Sequence, residues 1–304
     1  MMQNTAKKRL SSLVVFQMAI RPKTLPAALS PVLLGSAMVP PEQFQWLLLV
    51  CALGCALCLQ ITVNLANDYF DAASGVDSSE RLGPQRVTQS GLASALQVRR
   101  GIILFIAIAI FFGSVLVWHG GYMLLTAGFC SILAALAYSG GPYPLASHAL
   151  GEIAVLIFFG WVALIGSYYV HTNSLTWPVF YLATGVGTAL AAVMLVNNIR
   201  DIDTDRPAGK HTLAVILGPK NARRLYSALL LSLIVWHLLA FWATPSPSKY
   251  GIIVLPLAVY LPFAIALSIN IQQSFGKQLN PLLAKTALLC LLYSVATSLS
   301  VLYL

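Results

Sequence analysis

Asn64-Leu-Ala-Asn67-Asp68-Tyr-Phe-Asp71-Ala-Ala-Ser-Gly75-Val-Asp77-Ser-Ser-Glu80-Arg81-Leu-Gly83-Pro84-Gln-Arg86 closes an apolar run over 44–66 and holds four of the nine acidic residues of a 304-residue chain. A second stretch, Asn197-Asn198-Ile-Arg200-Asp201-Ile-Asp203-Thr-Asp205-Arg206-Pro-Ala-Gly209-Lys210, closes the run over 178–198 and holds three more. All the aspartates lie in these two places. Asn64, Asp68 and Asp71 stand at i, i+4 and i+7, and Asn67 and Asp71 at i, i+4, so each set shares a helical face. Asn197, Asp201 and Asp205 continue the four-residue spacing in the second stretch.

The runs around these stretches decide the fold class. The chain is 58% hydrophobic and 9% charged, with a mean hydropathy of +0.80. Soluble domains are about 25% charged. Nine apolar runs approach the roughly 20 residues that a bilayer crossing needs: 24–40, 44–66, 98–117, 121–138, 152–170, 178–198, 223–243, 251–270 and 285–303. Backbone groups in lipid must be paired within their own segment, which makes these helices. The alternation of an outer-membrane barrel is absent. The expectation is an all-α polytopic membrane protein: residues 1–23 form a cytoplasmic or interfacial segment, and 24–304 a single nine-helix domain.

A net charge of +9 would suggest nucleic acid in a soluble protein. Here it follows topology. With nine crossings and the N-terminus inside, every Lys and Arg except Lys249 falls on one side. That is the positive-inside pattern of a cytoplasmic membrane, and it puts both acidic stretches on the cytoplasmic face. The five cysteines all lie in apolar runs with no His or carboxylate beside them, and read as packing residues.

A carboxylate in the bilayer centre costs about 2.5–3.5 kcal/mol even on lenient scales, so these acids need a wet cavity. Mg²⁺ takes oxygen ligands, keeps waters, and is held by a few carboxylates plus substrate phosphates. Carboxylates alone repel a diphosphate, so cations must stand beside them. Arg81, Arg86, Arg200, Arg206 and Lys210 do so. The two stretches therefore read as two halves of one magnesium-diphosphate site, with Arg81, Arg86, Arg200 and Lys210 on the diphosphate.

Arg21 and Lys23 either anchor topology or face an anionic substrate. Tyr138 and Tyr143 belong to an inner loop without Lys or Arg, which suits a lid or lining. His148 in that loop is either a base or an exposed histidine. Glu152 either complements a helix N-terminus or contacts a substrate hydroxyl. The aromatics of the fifth run, Trp161 among them, are either interface belt or cavity lining.

These residues resemble the UbiA superfamily of intramembrane prenyltransferases, and within it the 1,4-dihydroxy-2-naphthoate (MenA-type) branch. The resemblance covers nearly the whole chain. It is carried by Arg21-Pro-Lys-Thr-Leu-Pro26, Asn64-Leu-Ala-Asn-Asp-Tyr69 with Asp71, Gly75 and Asp77, Arg81-Leu-Gly-Pro84, Phe158-Phe-Gly-Trp161, and Asn197-Asn-Ile-Arg-Asp-Ile202 with Asp205 and Gly209-Lys210.

The resemblance implies a helical bundle around a central cavity capped by cytoplasmic loops. It further implies transfer of a polyprenyl group from its diphosphate to dihydroxynaphthoate, with loss of CO₂. Carried over, Asn67, Asp71 and Asp77 match the first metal motif and Asp201 and Asp205 the second, with Asp68 or Asn64 as alternatives to Asp77. Asp71, Asp77, Asp201 and Asp205 become the catalytic acids. Asn197, Tyr138, Tyr143, Trp161, Arg21 and Lys23 become acceptor or cavity-lining residues. A same-family enzyme for another ring, such as 4-hydroxybenzoate or homogentisate, and a cation-coupled transporter are the rival readings.

Overall fold

The computed structural model describes residues 10–74, 82–83, 86–244 and 249–302. Among them every regular element is helical. Seven helices are long and apolar enough to cross a membrane. The chain begins with α1 (Ser12–Ile20) and α2 (Leu25–Ala37), then α3 (Trp46–Ser74) and α4 (Ala95–Ala137). There follow α5 (Gly151–Thr172), α6 (Trp177–Arg200), the short α7 (Ile202–Asp205), α8 (Leu213–Trp242), α9 (Lys249–Gln273) and α10 (Leu279–Leu302).

Seven differs from the nine expected crossings for two physical reasons. The first apolar run yields only 13 helical residues in α2, about 20 Å of rise against a hydrocarbon core of about 30 Å. The third and fourth runs share α4, 43 residues that would reach about 64 Å if straight. They do not run straight. Gly121 sits at φ 63, ψ −151, a backbone state open to glycine alone without strain. Val98 and Ile102 from the start of α4 meet Leu136 from its end in one cluster around Leu65. The helix therefore folds back at Gly121.

α6 is the most enclosed of the long helices, with 72% of its apolar window buried. Its small residues allow this. A Cβ on Gly160 of α5 would stand 2.7 Å from Ala183 O and 2.9 Å from Gly187 Cα, so α5 and α6 meet backbone to backbone. Without a hydrophobic drive between helices in lipid, such close approach is how they hold together. α5 is π-helical over Leu156–Ile165. This sorts its aromatics: Phe158 and Phe159 face a pocket, whereas Trp161 donates to Thr184 Oγ1 on α6 at 3.1 Å.

Candidate active site

The two acidic stretches come from the ends of α3 and α6 and converge on one pocket of about 990 Å³. Asn67, Asp71 and Arg86 line it from the first stretch. Asn197, Asp201, Asp205 and Lys210 line it from the second. Arg21, Gln60, Asn64 and Asn198 line it too, and most of the remaining wall is apolar and extends to Trp118 and Tyr122, beside the Gly121 turn. One end is ionic and the other greasy.

Each carboxylate already has a cation. Arg86 Nη2 pairs with Asp71 Oδ2, and Arg86 Nη1 donates to Asn67 O. Arg200 grips Asp201 with two parallel bonds, Nε to Oδ1 at 2.7 Å and Nη2 to Oδ2 at 2.6 Å. Lys210 Nζ stands 3.4 Å from Asp205 Oδ1. A forked arginine–carboxylate bond fixes geometry as well as charge.

Asp68 points elsewhere. Its carboxylate accepts from Val87 N at 2.9 Å and Thr88 N at 3.0 Å, and it is 2% exposed. It thereby seats the segment that carries Arg86. Asn64 donates to Ile20 O at 2.9 Å and to Thr24 Oγ1 at 3.0 Å, and accepts from Gln60. It ties the turn at Arg21, whose φ is 51, to α3. Arg200 also donates to Asn197 Oδ1 and Asn280 Oδ1, each at 2.8 Å, and Asn280 Nδ2 donates to Leu82 O. Its guanidinium is a knot between α6, α10 and the loop after α3.

Tyr138 follows the last residue of α4 and lines the ionic end. Burial, then the charges of Glu152, Asp71 and Asp205, hold its phenol well above its ordinary value. It stays protonated and donates to Met194 Sδ at 2.9 Å. Ser139 donates to Asn67 Oδ1.

Among the described residues no three His, Cys, Asp or Glu side chains gather to hold an ion alone. The pocket offers separate carboxylates and amide oxygens instead. Those are hard oxygen donors, and they fit an Mg²⁺ that arrives with substrate phosphates.

The pattern of the UbiA prenyltransferase family matches residues 28–289. The chain belongs to the UbiA prenyltransferase family. A Haemophilus influenzae protein named 1,4-dihydroxy-2-naphthoate octaprenyltransferase is 36% identical over 292 residues, 93% of this chain and 94% of its own length. An Escherichia coli protein of the same name is 39% identical over 224 residues, 71% of this chain and 73% of that one. In three dimensions the chain is similar to a UbiA homologue from Archaeoglobus fulgidus solved with GPP and Mg²⁺. The TM-score is 0.71 at 16% identity, covering 95% of this chain and all of that one. At that identity the likeness shows the fold.

In this UbiA-family prenyltransferase the pocket gathers ten of the expected residues: Arg21, Asn64, Asn67, Asp71, Arg86, Tyr138, Asn197, Asp201, Asp205 and Lys210. Five lie outside its lining. Asp68, Arg200 and Trp161 are engaged in the bonds given above. Lys23 is exposed. Tyr143 is exposed and stacks on His148 with ring centroids 3.5 Å apart. Asp77 and Arg81 lie outside the described residues. Sequence reasoning missed Gln60, Thr24, Ser139 and Asn280. Gln60 was findable: it is a lone amide in an apolar run, one turn before Asn64. Asn280 carried no local signal, because its partners are Arg200 and Leu82.

Proposed function

We propose that this chain transfers a polyprenyl group from polyprenyl diphosphate to 1,4-dihydroxy-2-naphthoate, releasing diphosphate and CO₂, as a step of menaquinone biosynthesis. The observation that carries the proposal is the convergence of two carboxylate–cation sets, remote in sequence, at the ionic end of one largely apolar pocket. The relatives named for this reaction, similar over most of the chain, supply the acceptor.

The ionic end suits the diphosphate and the apolar wall suits the tail. Arg86, Lys210 and Arg21 face the pocket and bind phosphate oxygens. Arg200 holds Asp201 in place rather than reaching the substrate. Asn67, Asp71, Asp201, Asp205 and Asp77 would hold Mg²⁺, whose chemistry there is to neutralise the departing diphosphate. The site residues stabilise negative charge as the allylic C–O bond breaks, and diphosphate leaves with the electron pair. The ring carbon bearing the carboxylate then bonds to the allylic carbon. The C–CO₂ bond breaks and its electrons restore the aromatic ring. CO₂ departs where a ring proton otherwise would, so that carbon needs no base.

This reading makes the protein a nine-helix bundle of the bacterial cytoplasmic membrane. Its central cavity is capped by cytoplasmic loops, and α2 and the two arms of α4 complete the count. It binds lipid, not nucleic acid. Purified protein would be given labelled polyprenyl diphosphate with dihydroxynaphthoate or 4-hydroxybenzoate, with and without Mg²⁺. Prenylated, decarboxylated naphthoquinol is expected only with Mg²⁺, and Asp71→Asn is expected to lower turnover at least about a hundredfold. Product from hydroxybenzoate alone would replace the acceptor. Transfer to neither ring would sink the proposal.

A further inference from the structure

Two neighbouring amides at the end of α6 are locked in opposite senses. Asn197 gives its oxygen to Arg200 Nη2. Asn198 gives its nitrogen away instead: Nδ2 donates to Glu152 Oε1 at 2.8 Å. Asn198 lines the pocket, whereas Glu152 stands outside the lining. Both are buried, at 4% and 5% exposure. Glu152 Oε2 has no partner among the described residues. A carboxylate only accepts, so Glu152 dictates that the NH₂ end of Asn198 faces it. Asn198 Oδ1 is the end that remains, and no described residue donates to it.

We propose that Asn198 Oδ1 recognises the aromatic acceptor by taking a hydrogen bond from a ring hydroxyl, and that Glu152 is the positioning residue that holds the amide in this sense. The inference rests on the prenyltransfer reading above and names a specificity element within it. The chemistry of the two substrates separates them. A diphosphate and a hydrocarbon tail have no hydrogen to donate, so Oδ1 makes no direct hydrogen bond to the prenyl donor and would meet it only through a metal ion. A phenolic hydroxyl is the donor that fits. In dihydroxynaphthoate the 1-hydroxyl is engaged by the adjacent carboxylate, which leaves the 4-hydroxyl for the protein.

The place also fits. Asn198 is one turn before Asp201 on the same face of α6, so a ring held there lies beside the ionic end. Without Glu152 the amide is free to turn, and with NH₂ toward the ring it offers no acceptor for the hydroxyl hydrogen. An unpaired buried polar group of this kind is what lets a site reject a molecule lacking its partner.

The test uses the full chain in lipid nanodiscs: wild type, Asn198→Ala, Glu152→Gln and Glu152→Met. Equilibrium binding and KM are measured for 1,4-dihydroxy-2-naphthoate, its 1,4-dimethoxy analogue and polyprenyl diphosphate, with thermal unfolding alongside. Asn198→Ala and Glu152→Met are expected to weaken dihydroxynaphthoate binding about tenfold, the size of one hydrogen bond. Binding of polyprenyl diphosphate is expected to stay within about twofold. Glu152→Gln keeps an oxygen for Asn198 and is expected to retain wild-type affinity. The dimethoxy analogue, which has no hydroxyl to give, is expected to bind all four proteins alike. Equal weakening for the dimethoxy analogue, or for both substrates together with a lower Tm, would overturn the inference and leave the pair a packing feature. Unchanged affinity in Asn198→Ala would overturn it while wild-type turnover keeps the proposed function standing. A wild type that binds neither naphthoate and transfers nothing would remove both.

Discussion

Asp68 and Asp71 are three residues apart and do different work. Asp71 faces the pocket and Arg86, whereas Asp68 caps the segment that delivers Arg86. Helical spacing alone put Asp68 on the same face as Asn64, and the resemblance offered it as a stand-in ligand. Its carboxylate went instead to two backbone N–H groups on a loop that local periodicity cannot place. Asp68→Ala leaves both N–H groups short of an acceptor, and a lost partner of this kind costs about 1–3 kcal/mol. A lower Tm with weaker polyprenyl diphosphate binding is expected, and Asp68→Asn should recover part of both. A Tm equal to wild type would show that the cap does not hold the segment.

At the level of elements, hydropathy located every long helix but not where the first run ends, which depends on backbone geometry. The 24–40 run stops as α2 at Ala37. The 98–117 and 121–138 runs are the two arms of α4, parted at Gly121, whose backbone is not helical. The contact of α5 with α6 was not legible either. Gly160 reads as one small residue in an aromatic word, and only the packed pair shows that its missing Cβ is the space Ala183 O and Gly187 occupy. Gly160→Val should separate the helices and cost about 1–3 kcal/mol through overpacking. It should also move Phe158 and Phe159, which line the pocket from the same π-helical turn. Thermal unfolding and prenyl-chain-length preference, measured on one preparation, check this. Native stability in the valine variant would rule out the close approach.

For the whole molecule, the charge pattern predicts an orientation. The 22-residue α5 spans about 33 Å and carries Ser174 away from the acidic stretches, whereas Lys277 is held near them by Asn280, three residues on. In a background without the native cysteines, Ser174→Cys should react with an impermeant maleimide from outside intact cells. Lys277→Cys should react only after the membrane is opened. Labelling of both from one side would overturn the assignment of the site to the cytoplasmic face.

By itself the sequence determined the class of fold, the two acidic stretches and the cations that follow them. Apolar runs, net charge and i, i+4 spacing are properties of neighbours along the chain, and lipid leaves a long apolar run little choice but a helix. Only the tertiary structure decided which polar groups face the pocket and which are spent on the frame. Arg200 stands behind Asp201 and Asn197, Asp68 is turned to a loop, and Asn198 is turned toward the pocket, each with a partner some 19 to 80 residues distant in sequence. A hydrogen-bonding side chain takes its direction from whatever satisfies its other end, and in a buried site that partner comes from another helix.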